Sequence, residues 1–101
     1  MLETVCSDPG ARSAVLGLSK ALALDLKPIR VNVVAVGAVD TEVWSNVQPE
    51  QKESMFQALV SKTTTGSIAQ ASDVAEAYIY CMKDSNVTGS VISSNGGALL
   101  T

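Results

Sequence analysis

Apolar residues at Val15, Leu18, Leu22 and Leu26 recur at intervals of three and four, which lines one face of a helix over residues 11–26. Leu16, Ala21, Ala23 and Leu24 widen that face until the helix is apolar over most of its girth. Such a helix is expected to pack on a sheet with one side and on something else with the other. Lys27-Pro28 closes it, because proline cannot continue the hydrogen-bond ladder and turns its predecessor away from helix. Residues 31–36 then form an almost unbroken run of β-branched residues, with Asn32 as its one polar member. That pattern predicts a strand covered on both faces, as in a parallel sheet.

Beyond Gly37, the pattern returns to a helical period over 49–62, where Met55, Phe56, Leu59 and Val60 share one side and Gln48 or a nearby residue is the expected cap. This segment reads as a lid. Thr63-Thr64-Thr65-Gly66 is a loop, and Ser72 is the expected N-cap of a further helix over 73–83. Val74, Ala77, Tyr78, Cys81 and Met82 would be the buried face of that helix. Residues 87–94 predict a second strand and Asn95-Gly96-Gly97 a turn. The order is helix, strand, lid helix, helix, strand: an α/β chain built as one crossover unit of an open parallel sheet with an extra helix in front.

At 101 residues the chain is expected to form a single domain spanning 1–101, with too small a core to be secure unless a partner covers part of it. Its seven basic residues are scattered among ten acidic ones, for a net charge of −3, and no basic stripe marks a nucleic-acid surface. No apolar run is long enough to cross a bilayer, and the first ten residues lack the basic and apolar portions of a signal peptide. No nucleic-acid or membrane partner is expected, and a cytoplasmic location is the expectation. Cys6 and Cys81 fit no metal or redox spacing, and the chain has no histidine. No metal site is therefore expected, and both cysteines read as reduced structural residues.

Two stretches carry a family likeness. "SAVLGLSKALALDLKPIRVNVVAVGAVDTE" and "SDVAEAYIYCMKDSNVTGSVISSNGG" resemble, in order and separation, the post-catalytic helix, sixth strand, following loop, last helix and last strand of the short-chain dehydrogenase/reductases. The resemblance covers residues 10–100 and implies the C-terminal portion of a Rossmann-type parallel sheet. It also implies NAD or NADP as cofactor and alcohol–carbonyl redox as chemistry.

The same resemblance assigns cofactor-binding residues. Gly37 would let the backbone come close to the ligand, Val39 would offer main-chain groups to the nicotinamide carboxamide, and Thr41 would hydrogen-bond the cofactor's amide or phosphate region; apart from the resemblance, Gly37 and Thr41 read as an ordinary turn with a helix-capping threonine. The family pattern has a proline where this chain has Val36, which restores a backbone N–H in need of a partner. Alignment of "SAVLGLSKALA" sets Arg12 at the position of the family's catalytic lysine and Asp8 at that of its tyrosine. Arg12 remains cationic and suits a ribose hydroxyl. An aspartate with a reference pKa of about 4 has no proton to donate at neutral pH, so no catalytic residue is assigned. The Gly-rich dinucleotide fingerprint, the residue that selects NAD or NADP and the catalytic serine would all precede Met1.

Three functions follow. The chain is a truncated or divergent NAD(P)-dependent oxidoreductase, inactive alone; or a non-catalytic module that docks on itself or on a full-length relative through the helix at 11–26; or the product of an incomplete gene. Trp44 and Phe56 are candidates to line a substrate or lid surface, with core packing as the alternative, and Asn86-Val87-Thr88, a glycosylation sequon in form, reads as a turn before a strand.

Overall fold

The computed structural model describes residues 9–40 and 46–100. The chain runs α1 (Pro9–Asp25), β1 (Val33–Val36), β2 (Val39–Asp40), α2 (Pro49–Ser61), β3 (Ala69–Gln70), α3 (Ala71–Lys83) and β4 (Val91–Ser94), and closes in a 3-10 turn over Ala98–Leu100. β1 and β4 pair in parallel, Val33 opposite Val91 through Val36 opposite Ser94. A second parallel pair, β2 with β3, sets Val39 against Ala69 and Asp40 against Gln70. The expected helix–strand–helix–helix–strand order is present. The β2–β3 pair is an addition, since two residues per strand are too few to show any period.

The strands are shorter than the apolar runs that encode them, and side chains explain the difference. Before Val33, the ladder is taken over by Asn32, whose Nδ2 donates to the Val87 carbonyl at 3.0 Å while its Oδ1 accepts from the Ser90 N–H at 3.1 Å. The Val31 N–H donates to the Thr88 hydroxyl at 3.2 Å. Residues 31–32 and 87–90 are thus tied together without strand geometry, and regular pairing begins only where Val33 donates to the Ser90 carbonyl. The one polar residue in the expected strand is the clamp at its entrance.

The expected cap of α3 moves by two residues. Its N-cap is Gln70 rather than Ser72, and the helix starts at Ala71. Gln70 is already extended because it pairs with Asp40 in the β2–β3 ladder. Asp73, at the third helical position, then reaches back to accept the Gln70 N–H at 2.8 Å. α2 begins after Gln48 as expected, but that residue makes no side-chain capping bond; its carbonyl takes the first helical bond from Lys52 at 2.8 Å.

The C-terminal end of α3 is held by Arg30. Its guanidinium donates to the carbonyls of Cys81 at 2.6 Å, Val87 at 3.1 Å and Met82 at 3.2 Å, setting a cation on the helix end where free carbonyls gather negative charge. Lys20 of α1 reaches the Gly89 carbonyl at 3.0 Å and so ties α1 to the turn before β4. Near the same helix end, the Tyr80 hydroxyl is hydrogen-bonded to Asp84, whose charge also lies close, and both raise the phenol above its ordinary value of 10.0. A raised folded-state value stabilises fully below the unfolded pKa and is lost as pH rises through the folded one, so this contact gives way only in alkali. Absorbance titration at 295 nm is expected to show Tyr80 ionising late, and Asp84→Asn to bring it back toward its ordinary value.

Among the described residues no apolar side chain is buried; the one buried residue is Ser19, 5% exposed, whose hydroxyl donates to the Leu16 carbonyl one turn back at 2.8 Å. Met82, expected in the buried face of α3, is 71% exposed, while Val74, Ala77, Tyr78 and Cys81 are half-buried. The broad apolar girth of α1 leaves Leu18 and Leu24 largely in solvent, at 52% and 72%. The radius of gyration is 15.3 Å, against about 13 Å for a compact domain of this length.

Candidate functional site at the strand ends

The carboxyl ends of β1 and β4 stand side by side, and the chain leaves β1 through Gly37 and Ala38 into β2. Gly37 donates its N–H to the Ser94 carbonyl at 2.9 Å and extends the parallel ladder by one bond. A Cβ on Gly37 would stand 2.9 Å from both Cα and Cβ of Asn95. The close approach that this glycine permits is therefore to the end of the neighbouring strand, a use that a strand followed by glycine does not distinguish from room for a ligand.

Asn95 starts a tight turn in which its Oδ1 accepts the Gly97 N–H at 2.9 Å and Gly96 takes φ +63°, a conformation that suits glycine. The Gly96 carbonyl accepts from the Thr64 N–H at 2.8 Å, the Thr64 hydroxyl at 3.1 Å and the Thr65 N–H at 3.2 Å. The loop after α2 is thereby clasped to the turn after β4. On the other side, Lys52 of α2 forms an ion pair with Asp40 at 3.8 Å and lies 5.2 Å from the centre of the Phe56 ring. Phe56 is half-buried and underlies this tie rather than facing open solvent. The segment expected to be a lid is held to the shelf at both of its ends.

The site residues read from the sequence divide accordingly. Gly37 and Val39 lie together in the link from β1 to β2, with Val39 in the β2–β3 ladder. Arg12 lies on a separate element, in the N-terminal half of α1, with an exposed side chain. Thr41 lies outside the described residues, as do Asp8, Cys6 and Trp44. Asn95, the Thr63–Thr65 loop and the Asp40–Lys52 pair belong to the same region without having been singled out; of these, only the Asn-Gly-Gly run carried a local signal, and it was for a turn.

A nicotinamide carboxamide is uncharged and takes hydrogen bonds, and the short link of Gly37, Ala38 and Val39 between two sheet ends is a neutral surface of backbone groups. The residues fit that end of a dinucleotide. At the N-termini of α2 and α3 they do not fit its pyrophosphate. An anion favours a helix N-terminus free of negative charge, whereas the first turns of α2 and α3 carry Glu50 and Asp73. Among the described residues no group of three or more His, Cys, Asp or Glu side chains could hold a metal ion, and no helix is long and apolar enough to cross a membrane.

Known proteins share this arrangement. Residues 5–101 match the SDR-like Rossmann domain. The short-chain dehydrogenase/reductase malC of Malbranchea aurantiaca is 47% identical over 91 residues, which are 90% of this chain and 34% of that protein. The solved structure of the MalC reductase/Diels-Alderase from the same organism superposes with a TM-score of 0.87 at 44% identity, over 94% of this chain and 39% of that one. A small-chain dehydrogenase solved in complex with NADPH gives a TM-score of 0.84 at 36% identity, over 91% of this chain and 42% of that one. The chain thus spans about a third of the length of the curated relatives it matches. With its parallel β1–β4 pair and the matched domain across nearly its whole length, the chain belongs to the short-chain dehydrogenase/reductase family.

Proposed function

We propose that this chain carries the nicotinamide-side wall of an NAD(P)-dependent short-chain oxidoreductase and does not reduce carbonyls by itself. The observation that carries this reading is the neutral backbone shelf of Gly37, Ala38 and Val39 at the joined carboxyl ends of β1 and β4, the side of a parallel sheet on which ligands bind. The relative solved with NADPH supports a dinucleotide as the ligand.

A bound nicotinamide would supply hydride. What the chain's own residues supply is position: the β1–β4 ladder fixes the shelf, and the Thr64–Gly96 and Lys52–Asp40 contacts hold α2 over it. The proton is the missing part. The alignment sets Asp8 and Arg12 where the family has its tyrosine and lysine, so the phenol that would pass the proton is absent from that position. The first turns of α2 and α3 carry Glu50 and Asp73 and offer no anion site there, so dinucleotide affinity in this reading rests on the carboxamide end. A cytoplasmic location goes with this reading.

Titration of the purified chain with NADH and NADPH, followed by cofactor fluorescence, is expected to show no saturable binding below the millimolar range. Carbonyl reduction is expected to be absent. Turnover that Asp8→Ala abolishes would overturn the proposal. Introducing tyrosine by Asp8→Tyr together with Arg12→Lys is expected to leave these 101 residues inactive on their own, because the double change adds nothing that anchors the cofactor's phosphates.

A further inference from the structure

Asn32, Asn46 and Asn86 each precede a valine, and Asn95 alone precedes a glycine. An asparagine side chain is open to attack by the backbone nitrogen that follows it, because a five-membered ring closes when that nitrogen bonds to Cγ. Valine, branched at Cβ, crowds the nitrogen, whereas glycine leaves it bare. Asn46 and Asn86 are exposed and Asn95 is half-buried, so exposure alone would favour the other two.

The turn after β4 prepares three atoms of Asn95 and Gly96 for that attack. Oδ1 of Asn95 accepts the Gly97 N–H at 2.9 Å, and this bond closes a ring of atoms that contains both Cγ and the Gly96 nitrogen. The side chain is thereby folded back beside the nitrogen that it would meet. The Gly97 N–H is also aimed at the oxygen on which negative charge gathers as the nitrogen adds, as a donor that stabilises an oxyanion must be. Among the described residues, no acceptor engages the Gly96 N–H and no partner holds Nδ2, the group that has to leave.

We propose that Asn95 is a site of spontaneous deamidation in the folded chain, and that one of its two products unclasps α2 from the strand ends. Hydroxide takes the Gly96 amide proton, the nitrogen bonds to Cγ, and Nδ2 leaves with its two protons and one from water as ammonia, giving a succinimide. Water then opens that ring. Attack at Cγ restores the ordinary peptide link with aspartate at 95, and attack at the main-chain carbonyl routes the chain through the side chain as isoaspartate. One water is consumed, one ammonia is released, and nothing is oxidised or reduced. The aspartyl product keeps the main chain in place and accepts the Gly97 N–H with a charged oxygen. The isoaspartyl product adds one atom to the main chain just before Gly96, whose carbonyl is held by the Thr64 N–H at 2.8 Å, the Thr64 hydroxyl at 3.1 Å and the Thr65 N–H at 3.2 Å. A carbonyl displaced by the length of a bond cannot keep all three donors, so the loop after α2 comes away.

The test is incubation of the unaltered folded chain in mildly alkaline water labelled with heavy oxygen, followed by fragmentation mass spectrometry of its peptides. One labelled oxygen is expected at residue 95, entering at least about tenfold faster than at Asn46 or Asn86 and at a rate that rises with hydroxide. Asn95→Gln, which would have to close a six-membered ring, is expected to stay unconverted. After chromatographic separation of the products, hydrogen exchange at the Thr64 and Thr65 amides is expected to be faster in the isoaspartyl fraction and unchanged in the aspartyl one. The same chain unfolded in urea is the reference. Conversion of Asn95 more than about tenfold slower in the folded chain than in urea, a barrier raised by more than about 1.4 kcal/mol, overturns the proposal. So does label that enters Asn46 or Asn86 as fast as Asn95, or exchange at Thr64 and Thr65 that is the same in both fractions.

Discussion

Arg30→Ala is expected to lower stability by about 2–3 kcal/mol, because hydrogen bonds to a charged group contribute about 1.5–3 kcal/mol and three are lost from a half-buried site. The carbonyls of Cys81 and Met82 at the end of α3 would lose the guanidinium, while that of Val87, in the segment leading into β4, would keep only Asn32. The measurement is urea unfolding at fixed protein concentration, with the midpoint lowered and the slope unchanged. For a chain of this length the thermal midpoint would fall by about 10–20 °C. Arg30→Lys is expected to recover only part of the loss, since one ammonium does not span carbonyls that the planar guanidinium reaches from two nitrogens. An unchanged midpoint for Arg30→Ala would mean that the guanidinium gains no more from these carbonyls than from water.

Gly37→Val comes next in size, at about 2–3 kcal/mol, the cost of forcing atoms into a site already closed by backbone. The added Cβ meets Asn95 at Cα as well as at Cβ, each 2.9 Å away, so trimming the neighbour with Asn95→Gly is expected to relieve only part of the strain. Amide chemical shifts at Ser94, Asn95 and Gly96 should move along with the unfolding midpoint. This separates two reasons for having glycine here. If it only made room for a ligand, Gly37→Val would leave stability untouched.

Helices were legible in the sequence because their periods extend over many residues: α1 and α3 begin or end within about two residues of where Val15 to Leu26 and Val74 to Met82 set them. The strands were legible as existing and as parallel, but not in length. An apolar run from Val31 shows nothing of Asn32 and Thr88 replacing ladder bonds with side-chain ones, a substitution visible only when residues more than fifty apart are brought together. Arg30 was overlooked for the same reason: a guanidinium that finds carbonyls 51 and 57 residues away has no local signature. At the proposed site, the strand–glycine junction reads as a shelf for a ligand, and its glycine serves the contact with Asn95. The packing of Asn95 against Gly37, and the clasp between Thr64 and Gly96, depend on contacts that no spacing along the chain encodes.

The β1–β4 register also bears on how the chain acquires its shape. Val33 finds its partner at Val91, so this pair cannot form until the segment from Val91 has been synthesised, and every residue between must be gathered into one loop first. Closing so long a loop is entropically costly before any pairing compensates, and contacts this remote in sequence slow folding. Until then the edge of β1 that β4 will cover stands open beside the apolar flank of α1, an arrangement that favours capture by chaperones or by neighbouring nascent chains. Refolding from urea should accordingly be slow for a chain of this size, with far-UV signal from α1 returning before protection at Val33 and Ala35.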